Sequence, residues 1–170
     1  GLQIDQNHPI LNYNIAHCYE ALEVFPEAIR SYENALKTKP AWPEAIRDFS
    51  NLLLTCNKTK EAQNLVQRSL RLYPNDASML CVLGQIFLTQ YDFDSAEKTF
   101  KKANSITPEN VEILSGLAEA LEKGEKIQEA LDAIENAIAI EPENLDLQKQ
   151  LAGTLLSASD FEEAFRKIDT

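Results

Sequence analysis

The chain has 170 residues, 44% hydrophobic and 25% charged, ordinary proportions for a globular domain or a repeat array. Its 27 acidic residues against 16 basic ones leave a net charge of −11. That balance argues against nucleic acid and anionic membrane surfaces as partners, because both require basic patches. No run approaches the roughly 18 apolar residues of a spanning helix, and no signal-peptide pattern opens the chain. Cys18, Cys56 and Cys81 fit no metal or redox spacing. They read as separate thiols on helices, compatible with a reducing, cytoplasmic compartment.

Pro40, Pro74, Pro108 and Pro142 are spaced 34 residues apart. A fixed period of this size marks a repeat array. With each proline at the thirty-second place of a repeat, the repeats run 9–42, 43–76, 77–110, 111–144 and a truncated 145–170. Residues 1–8 align with the tail of a preceding second helix, and Gln6 stands where a fifth proline would be. In repeat 1, Pro26 suits the first turn of a second helix. Asp76, Asn110 and Asn144 are N-caps for the first helices of repeats 3, 4 and 5. Asp92 caps the second helix of repeat 3. Asp160 with Glu163 reads as a capping box opening the second helix of repeat 5. No polar helix follows to cover Phe161, Phe165 and Ile168. Arrays need such a cap, so the chain reads as a piece of a longer protein, with an exposed end that would bury itself against another molecule.

The columns of the repeat alternate small and large. The eighth place is Ala16, Ser50, Gly84, Ala118 and Ala152; the twentieth is Ala28, Ala62, Ala96, Ala130 and Ala164. The twenty-seventh is Ala35, Ser69, Ala103 and Ala137; the twenty-fourth is Tyr32, Val66, Phe100, Ile134 and Ile168. Places 4, 7, 8 and 11 share one face of a first helix, and 17, 20, 24 and 27 one face of a second. Small residues let paired helices approach, and large ones fill the gaps. No strand-like alternation competes with this pattern.

These columns resemble the tetratricopeptide repeat family along essentially the whole chain. The resemblance implies an all-α, right-handed α-solenoid of tandem antiparallel helix pairs, used as a non-catalytic protein–protein interaction module. Some places depart from the family pattern. The fourth, often tryptophan in the family, is Asn12, Ile46, Leu80, Leu114 and Gln148. The usual interhelix glycine is missing, with Gly124 one place early. Repeat 2 carries Thr59 and Val66 where aromatics are usual.

The resemblance also implies that first helices line a concave groove. The groove places then hold Tyr13, His17, Arg47, Asn51, Leu54, Cys81, Gln85, Leu88, Glu112, Glu119 and Glu122. A carboxylate clamp would need lysine, arginine or asparagine at Tyr13, His17, Asn51, Cys81 and Gln85, and only Asn51 fits. An asparagine ladder at the sixth place fails too, since Asn14 is followed by Asp48, Val82, Gly116 and Gln150. What remains is a weakly polar centre and an acidic C-terminal half, relieved by Lys123 and Lys149. The complementary partner is a protein segment with an apolar anchor and a basic flank. Self-association through array ends, or service as the recruiting arm of a larger enzyme such as a transferase, are the alternatives.

Nothing in the sequence points to catalysis or a cofactor. His17 and Cys18 are adjacent on a helix and point about 100° apart. Glu119 and Glu122 lie one turn apart as surface charges. There is no glycine-rich phosphate loop and no metal-ligand motif. Trp42 is expected to pack across the boundary between repeats 1 and 2.

Overall fold

The computed structural model describes the backbone of residues 8–168 and the side chains of residues 8–159. Among the described residues every regular element is a helix. First helices are α1 (Pro9–Ala21), α3 (Pro43–Thr55), α5 (Ala77–Thr89) and α7 (Val111–Lys123). Second helices are α2 (Phe25–Thr38), α4 (Thr59–Leu72), α6 (Phe93–Ile106) and α8 (Ile127–Ile140), and α9 (Leu145–Ile168) ends the chain. The helices group into two compact units, Gly1–Val82 and Leu83–Thr170, whose boundary falls inside α5.

Local chemistry sets the helix starts. Asp76 Oδ1 accepts from Met79 N at 3.0 Å, Asn110 Oδ1 from Ile113 N at 3.0 Å, and Asp92 Oδ1 from Ser95 N at 3.1 Å. Asn144 Oδ1 accepts from Leu147 N at 3.3 Å. Each cap satisfies one of the amides that a helix start leaves unpaired. A cap not foreseen from the sequence is His8, whose Nδ1 accepts from Leu11 N at 3.4 Å.

The ends of the first helices follow one main-chain pattern. Val24, Lys58, Asp92 and Lys126 each donate back five residues, to Tyr19 (2.8 Å), Leu53 (2.8 Å), Phe87 (3.0 Å) and Leu121 (2.8 Å). This closure puts the preceding residue in the left-handed region: Glu23 (φ 57°), Asn57 (58°), Tyr91 (60°) and Glu125 (62°). Glycine is the usual occupant of such a site, and here none of these residues is glycine. Gly124, the glycine nearest the expected place, has an ordinary φ of −85°.

In the first unit, Ala16, Ala28, Ala35, Ala45 and Ala62 are fully buried, so α1, α2, α3 and α4 approach closely. Tyr32, also fully buried, stacks on Phe49 with ring centroids 5.4 Å apart. Trp42, between repeats 1 and 2, packs on Tyr13 at 4.7 Å, with Lys39 Nζ 4.2 Å from the Trp42 ring centroid.

The second unit is built around Phe100, which is fully buried. A Cβ placed on Gly84 would stand 2.6 Å from the Phe100 ring, and one on Gly116 would stand 2.5 Å from it. Both distances are below any real carbon–carbon contact, so the ring fills the space that two missing side chains leave. On the surface, Glu97 of α6 accepts from Lys101 at 2.8 Å and from Lys126 of α8 at 2.7 Å, and Lys101 also reaches Glu129 at 3.1 Å.

One expectation is corrected. Repeat 5 was expected to turn and start a second helix at Asp160, but α9 runs unbroken from Leu145 to Ile168 and carries Asp160 inside it. Ser159 lies 34 residues after Glu125, and it stays helical instead of turning left-handed. The left-handed turn costs about 1–2 kcal/mol for a residue with a Cβ. Docking of a second helix between neighbours offsets that cost in the earlier repeats. Without the fold-back, Leu155 is 48% exposed, whereas its counterpart Leu121 is 1% exposed. The expected roles of residues 1–7, and of the side chains of Phe161, Phe165 and Ile168, lie outside the described residues.

Two measurements check this account. Gly84→Ala and Gly116→Ala should each destabilise the chain by about 1–3 kcal/mol in urea unfolding, through overpacking against a ring that cannot move away. Combining either with Phe100→Leu should cost less than the sum of the single changes; strict additivity would show that the ring is not the obstacle. The second measurement concerns Glu97. Hydrogen bonds from Lys101 and then Lys126 hold its carboxyl below the usual carboxylate range, against the opposing effect of burial. A depressed native pKa stabilises the fold above the unfolded value and loses that stabilisation as pH falls through the native value. Glu97→Gln should therefore lower the Tm at pH 7, with the difference from the parent closing at pH values below about 4.

Candidate functional site

The first-helix face of the first unit is organised around Asp48. This residue of α3 has a side chain only 15% exposed. Its Oδ2 accepts from Tyr13 Oη at 2.5 Å and lies 3.3 Å from His17 Nε2, tying α3 to α1. Its Oδ1 accepts from Arg47 Nε at 2.9 Å. His17 Nδ1 in turn lies 3.4 Å from the hydroxyl of Tyr32, which donates to Glu20 Oε2 at 2.9 Å. Burial, reinforced by the Asp48 hydrogen bond, pushes the Tyr13 phenol up to about 12. Tyr32 is raised as well, by burial first and the Glu20 hydrogen bond second. Both phenols therefore stay protonated as donors, and the network links α1, α2 and α3 with fixed polarity.

Three expected groove residues, Tyr13, His17 and Arg47, meet in this network. Asn51 and Leu54 lie on the same helix as Asp48, half-buried. The Asn51 Oδ1 is shielded from solvent and has no hydrogen-bond partner, so it remains an unfilled acceptor. Cys81 departs from expectation. At 2% exposure it is a core residue of α5 and offers no surface to a partner. The hub itself, Asp48, was not among the expected site residues; it was noted only as a break in an asparagine column.

In the second unit, α7 and α9 flank a cavity of about 660 Å³. Glu112, Glu119, Glu122, Glu141 and Asp146 line it, against Lys123. These carboxylates do different work. Glu112 accepts from Gln85 Nε2 at 3.3 Å. Glu122 accepts from the fully buried Thr154 at 3.0 Å and from Ser157 at 3.3 Å, so it joins α7 to α9. Asp146 is held by Lys149 at 2.9 Å. Glu119 is exposed and makes no ion pair or hydrogen bond. Ser115 and Gln150 close a reciprocal pair, with Ser115 Oγ donating to Gln150 Oε1 at 2.7 Å and Gln150 Nε2 donating to Ser115 O at 2.9 Å. Leu88 and Gln85 of α5 are half-buried. Gly116, a groove place by column, is buried under Phe100 instead.

Among the described residues, no cluster of histidine, cysteine or carboxylate side chains has the arrangement of a metal site. No described helix is long and apolar enough to cross a membrane.

Comparison with known proteins follows the same lines. The family model described as YpiA-like, C-terminal tetratricopeptide repeats matches residues 9–76, and the tetratricopeptide repeat model matches residues 47–111. No curated protein matches the chain by sequence. Solved structures match it by shape. A tetratricopeptide repeat protein from Parabacteroides merdae has a TM-score of 0.79 at 18% identity, covering 99% of this chain and 66% of that one. MamA from Desulfovibrio magneticus has a TM-score of 0.69 at 16% identity, covering 95% and 97%. YrrB, described as a TPR protein with an unusual peptide-binding site, has a TM-score of 0.68 at 20% identity, covering 87% and 76%. At these identities the structural likeness establishes the fold. With the period, the columns and the paired helices, the two sequence matches show that the chain belongs to the tetratricopeptide repeat family.

Proposed function

We propose that this chain is a non-catalytic interaction module that holds a peptide or helix of a partner protein against its first helices. The family generally serves as a non-catalytic interaction module. The observation that carries the finer reading is Glu119, an unpaired carboxylate at a cavity of about 660 Å³. A basic flank on the partner would neutralise it. Taken by itself, the first unit offers the unfilled Asn51 acceptor, which suits an N–H donor such as a peptide amide. YrrB, a structural relative, has a peptide-binding site, which supports the same class of ligand.

A second reading, self-association, is favoured by the apolar side chains that α9 leaves exposed. Leu145 is 67% and Leu156 is 69% exposed. Sedimentation at increasing concentration separates the two. A concentration-independent monomer removes the second reading, and a dimer lost in Leu155→Glu/Leu156→Glu supports it.

The structure divides the acidic residues by role, and binding assays should follow that division. Glu119→Lys should weaken a basic partner peptide by about tenfold and leave the Tm unchanged. Glu122→Lys should lower the Tm, because Thr154 and Ser157 lose their acceptor and the cation meets a buried hydroxyl. Equal peptide affinity of the parent and Glu119→Lys would reduce that carboxylate to a solvated surface charge.

A further inference from the structure

The first unit holds another cavity, of about 370 Å³, that shares no residue with the Asp48 hub. It lies among the end of α2, the start of α3 and the C-terminal half of α4. Leu36, Ile46 and Leu65 stand among its apolar lining residues, and Arg68, Ser69 and Arg71 are the polar ones.

The polar groups of these side chains bond to nothing in the fold. Arg68 and Arg71 are exposed and form no ion pair or hydrogen bond, although the chain carries a net charge of −11. Ser69 is 2% exposed, yet its hydroxyl has no partner. Other helical hydroxyls here donate to the carbonyl four residues back: Ser50 to Ile46 at 2.7 Å and Thr99 to Ser95 at 2.7 Å. Ser69 makes no such bond, and its column holds Ala35, Ala103 and Ala137 in the other repeats. A buried hydroxyl with no partner loses its hydration without return, so alanine would serve the packing better.

We infer that this cavity binds a small aliphatic monocarboxylate. The alkyl chain would lie against Leu36, Ile46 and Leu65. The carboxylate would meet the guanidinium groups of Arg68 and Arg71, whose planar donor forks match its geometry. An oxygen seated above Ser69 would supply the acceptor that its hydroxyl lacks. The volume is at the small end of ligand sites, which favours a short to medium chain. This inference does not rest on the reading of the first-helix face, and neither depends on the other being right.

The test uses the whole chain, labelled with nitrogen-15, and three probes below micelle concentration: sodium octanoate, octylammonium chloride and sodium acetate. Octanoate should give saturable amide shifts confined to residues 36–46 and 65–72, with none from the other probes. Arg68→Gln/Arg71→Gln should weaken octanoate by about tenfold at unchanged Tm. Ser69→Ala should also weaken it, while raising the Tm of the free protein. The inference is overturned by equal binding of octylammonium, by shifts spread outside the cavity, by undiminished affinity in the double arginine variant, or by no saturation with octanoate. It is overturned as well if the blocked dipeptide acetyl-Leu-Glu amide binds there and octanoate does not.

Discussion

The second unit depends on an aromatic ring standing where two side chains are missing. Phe100 is fully buried and touches Gly84 of α5 and Gly116 of α7 so closely that neither position admits a Cβ. The small columns of the repeat do the same at lower intensity, with Ala96, Ala103, Ala118, Ala130 and Ala137 all at zero exposure. Close approach of backbones is thus the rule, and a large residue is accepted only where glycine clears room for it. Dense interiors transmit such a constraint to every neighbour. The position of α7 relative to α6 follows from it, and with α7 the positions of Glu112, Ser115, Glu119 and Glu122 at the acidic cavity.

How much of this was legible in the sequence depends on the range of the interaction. Helix starts could be read from capping side chains because a cap acts within three residues, and the side-chain oxygens of Asp76, Asp92, Asn110 and Asn144 all accept from the helix-start amides as expected. The core columns could be read because burial recurs with the period. The turns could not be placed by glycine, since Glu23, Asn57, Tyr91 and Glu125 carry no glycine signal and main-chain bonds hold them. Gly116 was hidden because its column contains Asn14, Asp48, Val82 and Gln150, which share no chemistry. The bonds of Asp48 and Glu122 were not legible for a common reason: their partners, Tyr13 and Thr154, are 35 and 32 residues away. A column identifies the face a residue occupies, but not whether a neighbouring helix has already used its charge.

The candidate surfaces differ in electrostatic character. Around Asp48 the charge is internally matched by Arg47, and His17 with the phenols of Tyr13 and Tyr32 completes the network. That surface offers shape and fixed dipoles more than net charge. Around Glu119 the carboxylates outnumber the cations, and salt-dependent attraction is the expected mode.

The interhelix turns have a further consequence. Their geometry is imposed by backbone hydrogen bonds, and the side chain at each tip contributes nothing to it; Tyr91 is 81% exposed. Identity at these tips is therefore limited by tolerance of a positive φ, with the side chain itself pointing away from the helix packing. Glu23, Asn57, Tyr91 and Glu125 are ready-made attachment points, where a dye, a crosslinker or a new charge can be displayed at a 34-residue pitch without altering what holds the helices together.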